Sequence, residues 1–227
     1  MCARYTMITP TEVLVEELEA TLTVAALPPR YNIAPTDDAP IVVLSREGER
    51  RLGLARFGLI PHWAKSAREG VRMLNARVET VAEKPAFRDA FARRRCLVAA
   101  DGFYEWETRG KEKLPHRFHL AGRPFAFAGL WATWRDPDGV RVVSFAILTC
   151  PAVGAVAPIH DRMPIVLPHE AYAPWLATEG GLDADGLRAL LAAHLGDYLE
   201  DTRVSTRVNQ VKNDDPSLVV PLPPEAC

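Results

Sequence analysis

Cys2 opens the chemistry. A small side chain after the initiator methionine favours removal of Met1, which would leave Cys2 as a 1,2-aminothiol. An α-amine of ordinary pKa about 7.7–8.0 then stands beside a thiol of about 8.5. Both are nucleophilic near neutrality. With an aldehyde, the amine forms an imine and the thiol closes a five-membered thiazolidine on the same carbon. By position alone, a frayed terminus is the commoner fate of such a residue.

Three further segments could serve that chemistry. In Gly102-Phe-Tyr-Glu-Trp106, a strand would set Phe103, Glu105 and Glu107 on one face and Tyr104 and Trp106 on the other. Partial burial among aromatics would raise the Glu105 pKa toward an acid/base range; an edge strand with Glu105 in solvent fits the same residues equally. Pro158 to Pro164 presents His160 beside Asp161 and Arg162 in a loop. A lone histidine is more often structural, but the polar groups between two prolines favour presentation. Asn75 and Arg77 face the same way if their segment is extended, and could hold an oxygen-rich ligand or phosphate, or tie down a loop. Trp63 and Trp106 with Arg4, Arg72, Arg77 and Arg162 could combine stacking with phosphate neutralisation, although core tryptophans are commoner. The Arg93-Arg94-Arg95 run reads as a solvated helix end.

The elements that must position these residues come from apolar patterning. Thr9 caps a helix with Pro10 at its first position and Glu12 closing a capping box, burying Val13, Leu14 and Leu18. Pro28 to Thr36 is extended or looped. Ile41–Leu44 and Arg51–Ile60 are strands joined through Arg46–Glu49. Pro85 to Phe91 is a helix with aromatics four apart. Cys96 to Glu107 is a strand interrupted at Asp101-Gly102, followed by strands at Phe125–Trp134, Val142–Thr149, Arg162–Leu167 and Val204–Val208. Asp183 to Leu195 is a helix with Leu187, Leu190 and Leu191 on one face, and a Pro-rich tail runs over about 214–227. Many short strands, interspersed rather than alternating with helices, predict an α+β fold with a largely antiparallel β core in one domain spanning 1–227.

Composition bounds the function class without choosing it. The 227 residues are 48% hydrophobic and 25% charged, with formal net charge −2, as in an ordinary globular protein. No run approaches eighteen apolar residues, so no membrane span is expected. The start has no basic region followed by an apolar stretch, so no signal peptide is expected. Cys2, Cys96, Cys150 and Cys227 are far apart and lack Cys-x-x-Cys spacing, which argues against a zinc site and for a reducing cytoplasm. Residues 1–120 carry 19 basic and 16 acidic groups, whereas 121–227 carry 8 and 13. Such a chain can hold nucleic acid in a local basic groove but does not coat duplex indiscriminately.

Taken in order, the segments resemble the SRAP family, the SOS response-associated peptidases or abasic-site processing proteins. The matching residues are Cys2 with Arg4-Tyr5, Tyr31 to Thr36, Gly58 to Ala64, Asn75 to Thr80, Lys84 to Arg88, Arg95 to Val98, Asp101 to Trp106, Ile159 to Pro164 and Val208-Asn209. They span essentially the whole chain. The resemblance implies a mixed, barrel-like domain that joins an abasic site in single-stranded DNA through a thiazolidine at Cys2. It implies that Asn75 orients cysteine and sugar, that Glu105 is the general acid/base, and that His160 serves the sugar oxygen on ring opening. It also implies that Arg4, Arg77 and Arg162 hold phosphates, with Trp63 and Trp106 beside the strand. An autocatalytic cut that removes Met1, an abasic-site lyase side activity, action as a monomer and association with the nucleoid when DNA-bound belong to the same expectation. No metal or cofactor is expected.

The chain departs from the family pattern at Ala3, where glycine is usual, at Ala99, where proline is common, and over Thr149-Cys150-Pro151-Ala152-Val153. Cys150 is thereby a candidate second thiol near the pocket. Two other classes share these residues. An N-terminal-nucleophile hydrolase would use the amine as base and needs an oxyanion hole. A non-covalent single-strand binder would leave Cys2 idle.

Overall fold

The computed structural model describes residues 3–178, 183, 185–187, 189 and 199–223. Its first strands are β1 (Tyr5–Met7), β2 (Thr21–Leu22), β3 (Arg30–Ile33), β4 (Asp38–Leu44), β5 (Arg50–Phe57) and β6 (Asn75–Arg77). They are followed by β7 (Arg95–Ala100), β8 (Gly102–Arg109), β9 (Glu112–His119), β10 (Phe125–Arg135) and β11 (Arg141–Pro151). The last are β12 (Arg162–Pro164), β13 (Val166–Leu167) and β14 (Glu200–Arg203), and helices α1 (Thr11–Leu18), α2 (Arg88–Arg93) and α3 (Tyr172–Leu176) flank them.

Strands β5, β4, β7, β10 and β11 neighbour one another in that order, and a parallel pairing of β11 with β5 closes the ring. The result is a small barrel in a mixed α+β fold. A second sheet, β14-β9-β8-β1-β3, is antiparallel throughout. Aromatic rings join the two. Tyr5 meets Phe57 and Phe127 edge-on at 5.7 and 5.8 Å, Phe103 meets Phe127 at 6.0 Å, and Phe57 stacks on Phe145 at 5.2 Å. Gly129 lets β7 and β10 pack closely, since a Cβ there would lie 2.6 Å from Val98 Cγ2.

The strand expected over Cys96–Glu107 breaks at Asp101 into β7 of the barrel and β8 of the second sheet. Asp101 is the hinge. Its carboxylate accepts from Thr6 Oγ1 (2.6 Å), Ile8 N (2.5 Å), Thr9 N (2.8 Å) and Thr9 Oγ1 (2.9 Å), and Arg117 Nη2 lies 3.3 Å away. Thr9 is therefore not the cap of α1. Pro10 holds that position without a side-chain bond, because the Thr9 hydroxyl is used by Asp101. Val13 is exposed, whereas Leu14 and Leu18 are buried as expected.

Other expectations are corrected. Helix α2 begins at Arg88 rather than Pro85, the preceding residues forming turns. The last strand is Glu200–Arg203, and Thr206–Asn209 is a 3-10 turn. Arg95 is not solvated: it is buried, with its guanidinium over the rings of Phe91 (4.8 Å) and Trp175 (5.0 Å) and its Nε donating to Phe91 O. The helix expected over Asp183–Leu195 falls largely outside the described residues, Leu187 being buried.

Residues 204–222 form an arm over the outer face of the second sheet. Val204, Val208 and Leu218 pack with Tyr104, Tyr31 and Trp106. Arg4 reaches across, donating from Nε to Asn32 Oδ1 (2.9 Å) and from Nη2 to Val208 O. Asn32 Nδ2 donates to Asn213 O (2.7 Å).

Candidate active site

Alternation along β8 decides which side chains enter the site. Phe103 stacks on Phe118 inside, and Tyr104 points out to the arm. Glu105 returns to the inner face and is only 3% exposed. Burial raises its carboxyl pKa, and the positive potential of His160 partly opposes this.

His160 follows the 3-10 turn Gly154–Val156, and its own N–H donates to Val156 O (3.0 Å). Its Nδ1 accepts from the Arg162 N–H at 2.9 Å. The Arg162 carbonyl oxygen lies 3.1 Å from the same Nδ1 and accepts from it when the proton sits there, so this backbone loop serves either neutral tautomer. Asp161 Oδ1 lies 3.0 Å from the same Nδ1 and forms an ion pair with the ring when it is charged.

An open cleft of about 460 Å³ is lined by Glu105, Trp106, Lys113, His160 and Asn209. Trp106 is half-buried at the rim, with Nε1 donating to Asn209 Oδ1 at 2.6 Å. That bond occupies the indole N–H. The remaining contribution of the ring is apolar area and a π face.

Strand β1 brings the start of the described chain to this cleft. Tyr5 lies opposite Phe103, and Tyr104 N donates to Arg4 O at 2.9 Å, so the antiparallel course runs toward Glu105. Cys2 lies outside the described residues and is joined to Ala3 by one peptide bond.

The family model described as SOS response associated peptidase (SRAP) matches residues 1–211. The chain belongs to the SRAP family. It is 37% identical over 223 residues to abasic site processing protein YoqW of Bacillus subtilis (strain 168), covering 96% of this chain and 99% of that one. It is 31% identical over 196 residues to abasic site processing protein YedK of Escherichia coli (strain K12), covering 85% of each. A crystal structure of a protein from Bacteroides thetaiotaomicron shares the fold, with a TM-score of 0.79 at 22% identity over 97% of this chain and 100% of that one.

In this SRAP protein the residues singled out in the sequence divide into three groups. Glu105, Trp106 and His160 meet at the cleft. Asn75 and Arg77 sit on β6, parallel to β11, half-buried and exposed respectively, with Ala76 buried between them. They share a side of the strand, as extended geometry requires, but neither is among the described residues that line the cleft. Trp63 is 51% exposed in the segment that also exposes Lys65, Arg68 and Arg72, so it is not a core residue.

Arg4 and Arg162 form the third group, and both are turned inward. Arg162 donates to Glu79 from Nη1 (2.6 Å) and Nη2 (3.0 Å), and from Nη2 to Thr149 O (2.7 Å). This fork holds the Glu79 carboxyl below the usual range. Arg4 and Arg162 are each less than a tenth exposed, so their guanidiniums brace protein rather than present charge to a strand. Cys150 is likewise inward: burial pushes its thiol up to about 12, far from a reactive thiolate.

Lys113 and Asn209 line the cleft and had not been singled out for it. Asn209 lies 103 residues from Trp106 in sequence, a pairing that no local pattern encodes. Lys113 had a signal in the charged, alternating segment Glu112–His119, interrupted by Pro115.

Proposed function

We propose that this protein captures abasic sites in single-stranded DNA by forming a thiazolidine between the open-chain sugar aldehyde and the amine and thiol of Cys2. The observation that carries the reading is the cleft lined together by buried Glu105, half-buried His160 and Trp106. Family membership and the abasic-site processing names of the relatives support it.

In this reading His160 gives a proton to the ring oxygen and takes up the proton of the anomeric hydroxyl as the hemiacetal opens to the aldehyde, so the ring ends as it began. The Cys2 amine adds to the aldehyde carbon to give a carbinolamine. Glu105 as the carboxylic acid protonates its hydroxyl, which leaves as water and gives an iminium. The Cys2 sulfur then bonds to the same carbon while the Glu105 carboxylate takes the thiol proton. Glu105 is regenerated, and the net change is loss of one water. A carboxyl whose pKa is raised by burial suits a role that alternates between acid and base. Asn75 orients cysteine and sugar, Arg77 and Lys113 meet phosphates, and Trp63 and Trp106 offer rings to the bases. Arg4 and Arg162 contribute by bracing the strands that hold these groups. Removal of Met1 by a single self-directed cut supplies the free amine, and β-elimination from the iminium gives a lyase side reaction.

The test is a denaturing gel with intact mass on protein mixed with single-stranded DNA bearing one abasic site. The expected species survives denaturation and has the mass of protein lacking Met1 plus DNA minus water. It is absent in Cys2→Ala and forms more slowly, by roughly 10²-fold or more, in Glu105→Gln. A processed protein that gives no adduct overturns the reading.

A further inference from the structure

A buried histidine that the proposed mechanism does not use stands directly across the strand pair from Glu105. The register of the second sheet sets Arg203 of β14 opposite His116 of β9, and His116 opposite Glu105 of β8. Directly opposed residues share a face, with Cβ atoms about 4.5–5.5 Å apart. His116 is only 5% exposed and its ring stacks on Phe118. Its Nδ1 lies 2.8 and 3.0 Å from the two carboxylate oxygens of Asp201, which fixes the ring. Its Nε2 is buried and makes no hydrogen bond, the carboxylate of Glu107 lying beyond hydrogen-bond range at 3.6 Å. An imidazole buried between two carboxylates, with Nδ1 held by Asp201 and Nε2 facing Glu107 at ion-pair rather than hydrogen-bond distance, is an expensive arrangement for packing alone.

We propose that His116, held by Asp201, is a positioning residue for Glu105 that sets the charge balance in which the catalytic carboxyl exchanges its proton. The inference rests on the acid/base role given to Glu105 above. The groups on the face of Glu105 are Glu107 from its own strand, His116 from β9, and Asp201 and Arg203 from β14, whereas Lys113 lies opposite Thr108 on the other face. His160 and Asp161 face it from the loop before β12. Glu107 and Asp201 oppose ionisation of Glu105, and a proton on His116 favours it. Removing the imidazole leaves those carboxylates uncompensated and shifts Glu105 toward its protonated form.

The experiment is the pH profile of cross-linking rate with abasic single-stranded DNA. The limb belonging to Glu105 is the one that disappears in Glu105→Gln. In His116→Gln, which keeps a polar side chain next to Asp201 but cannot become a cation, that limb moves to higher pH. In Glu107→Gln, which removes a carboxylate at a partly exposed position, it moves to lower pH. A merely structural histidine moves neither limb, although it can change the rate throughout. The same displacements are read without DNA from NMR titration of the labelled Glu105 side-chain carboxyl. The inference is thus tested even if no adduct forms and the reading above falls. A titration in His116→Gln that superimposes on the parent or moves to lower pH overturns it. If His116→Gln does not fold, titration of the labelled His116 ring decides: replacing Glu105 by Gln moves it to lower pH if the two groups share one charge balance, and no movement overturns the inference.

Discussion

Glu105 concentrates the trade between stability and chemistry in one side chain. Its carboxyl is nearly free of solvent, and burial raises its pKa. The native state therefore holds a proton that the unfolded chain has already released, across the window from the ordinary carboxylate range up to the raised native value. Stability is full below that window and is lost as pH rises through it. Glu105→Gln removes a charge that is costly to bury, so we expect the variant to melt higher than the parent at neutral pH while cross-linking more slowly. The difference in Tm should shrink as the pH is lowered into the ordinary carboxylate range. Thermal melts at matched pH values check it; a variant that melts lower than the parent at neutral pH would contradict the assignment.

Among the elements, Asp101 has the largest consequence for its size. Four hydrogen bonds from Thr6, Ile8 and Thr9 converge on one carboxylate that also faces Arg117. This fixes the entry of β1 against β8 and hence the direction in which the chain approaches Glu105. Asp101→Asn removes the charge opposite the buried Arg117, and a buried pair broken on one side costs about 3–5 kcal/mol. Urea unfolding should show that loss in the midpoint with little change in slope. The hinge itself was legible in the sequence, because Asp101-Gly102 interrupts an apolar run. So were the β4–β5 hairpin and the long strands β10 and β11, whose apolar patterning is strong. Strand β9 was missed because Pro115 and its charges mask the inward set Leu114, His116 and Phe118. Strand β14 was placed a few residues late because Glu-Asp-Thr-Arg is polar on an edge, whereas Val204 and Val208 earn their burial in the arm instead. Within the site, Glu105 and His160 could be picked by chemistry alone. The inward commitment of Arg4 and Arg162 could not, because their partners Val208 and Glu79 are 204 and 83 residues away.

At the scale of the whole molecule, the charge balance separates encounter from retention. Formal charge is −2 overall, and the exposed cations gather in segments such as Lys65 to Arg77. In the proposed reading, the encounter with single-stranded DNA then rests on a few phosphate contacts. For two or three of them, the capture rate at limiting DNA should fall roughly 7–20-fold between about 50 and about 200 mM salt. The adduct, once formed, should persist unchanged at salt concentrations that abolish the encounter. Quenched time courses across salt, followed by a high-salt wash, measure both; an adduct that washes off shows non-covalent retention.

The tie between Arg4 and Val208 also has a meaning for synthesis. Strand β1 lies inside its sheet, between β8 and β3, yet it leaves the ribosome before either of them. Arg4, just before it, finds the arm carbonyl only once Val208 has been made, on the order of 10–40 s later at ordinary elongation rates. Until β8 and the loop before β12 have been made, the start of the chain has no Glu105 or His160 beside it, so in the proposed reading a nascent Cys2 meets passing aldehydes with only its intrinsic reactivity. In the proposed reading, maturation of the nucleophile thereby waits on segments made long after it, the arm carbonyl at Val208 being the last of these.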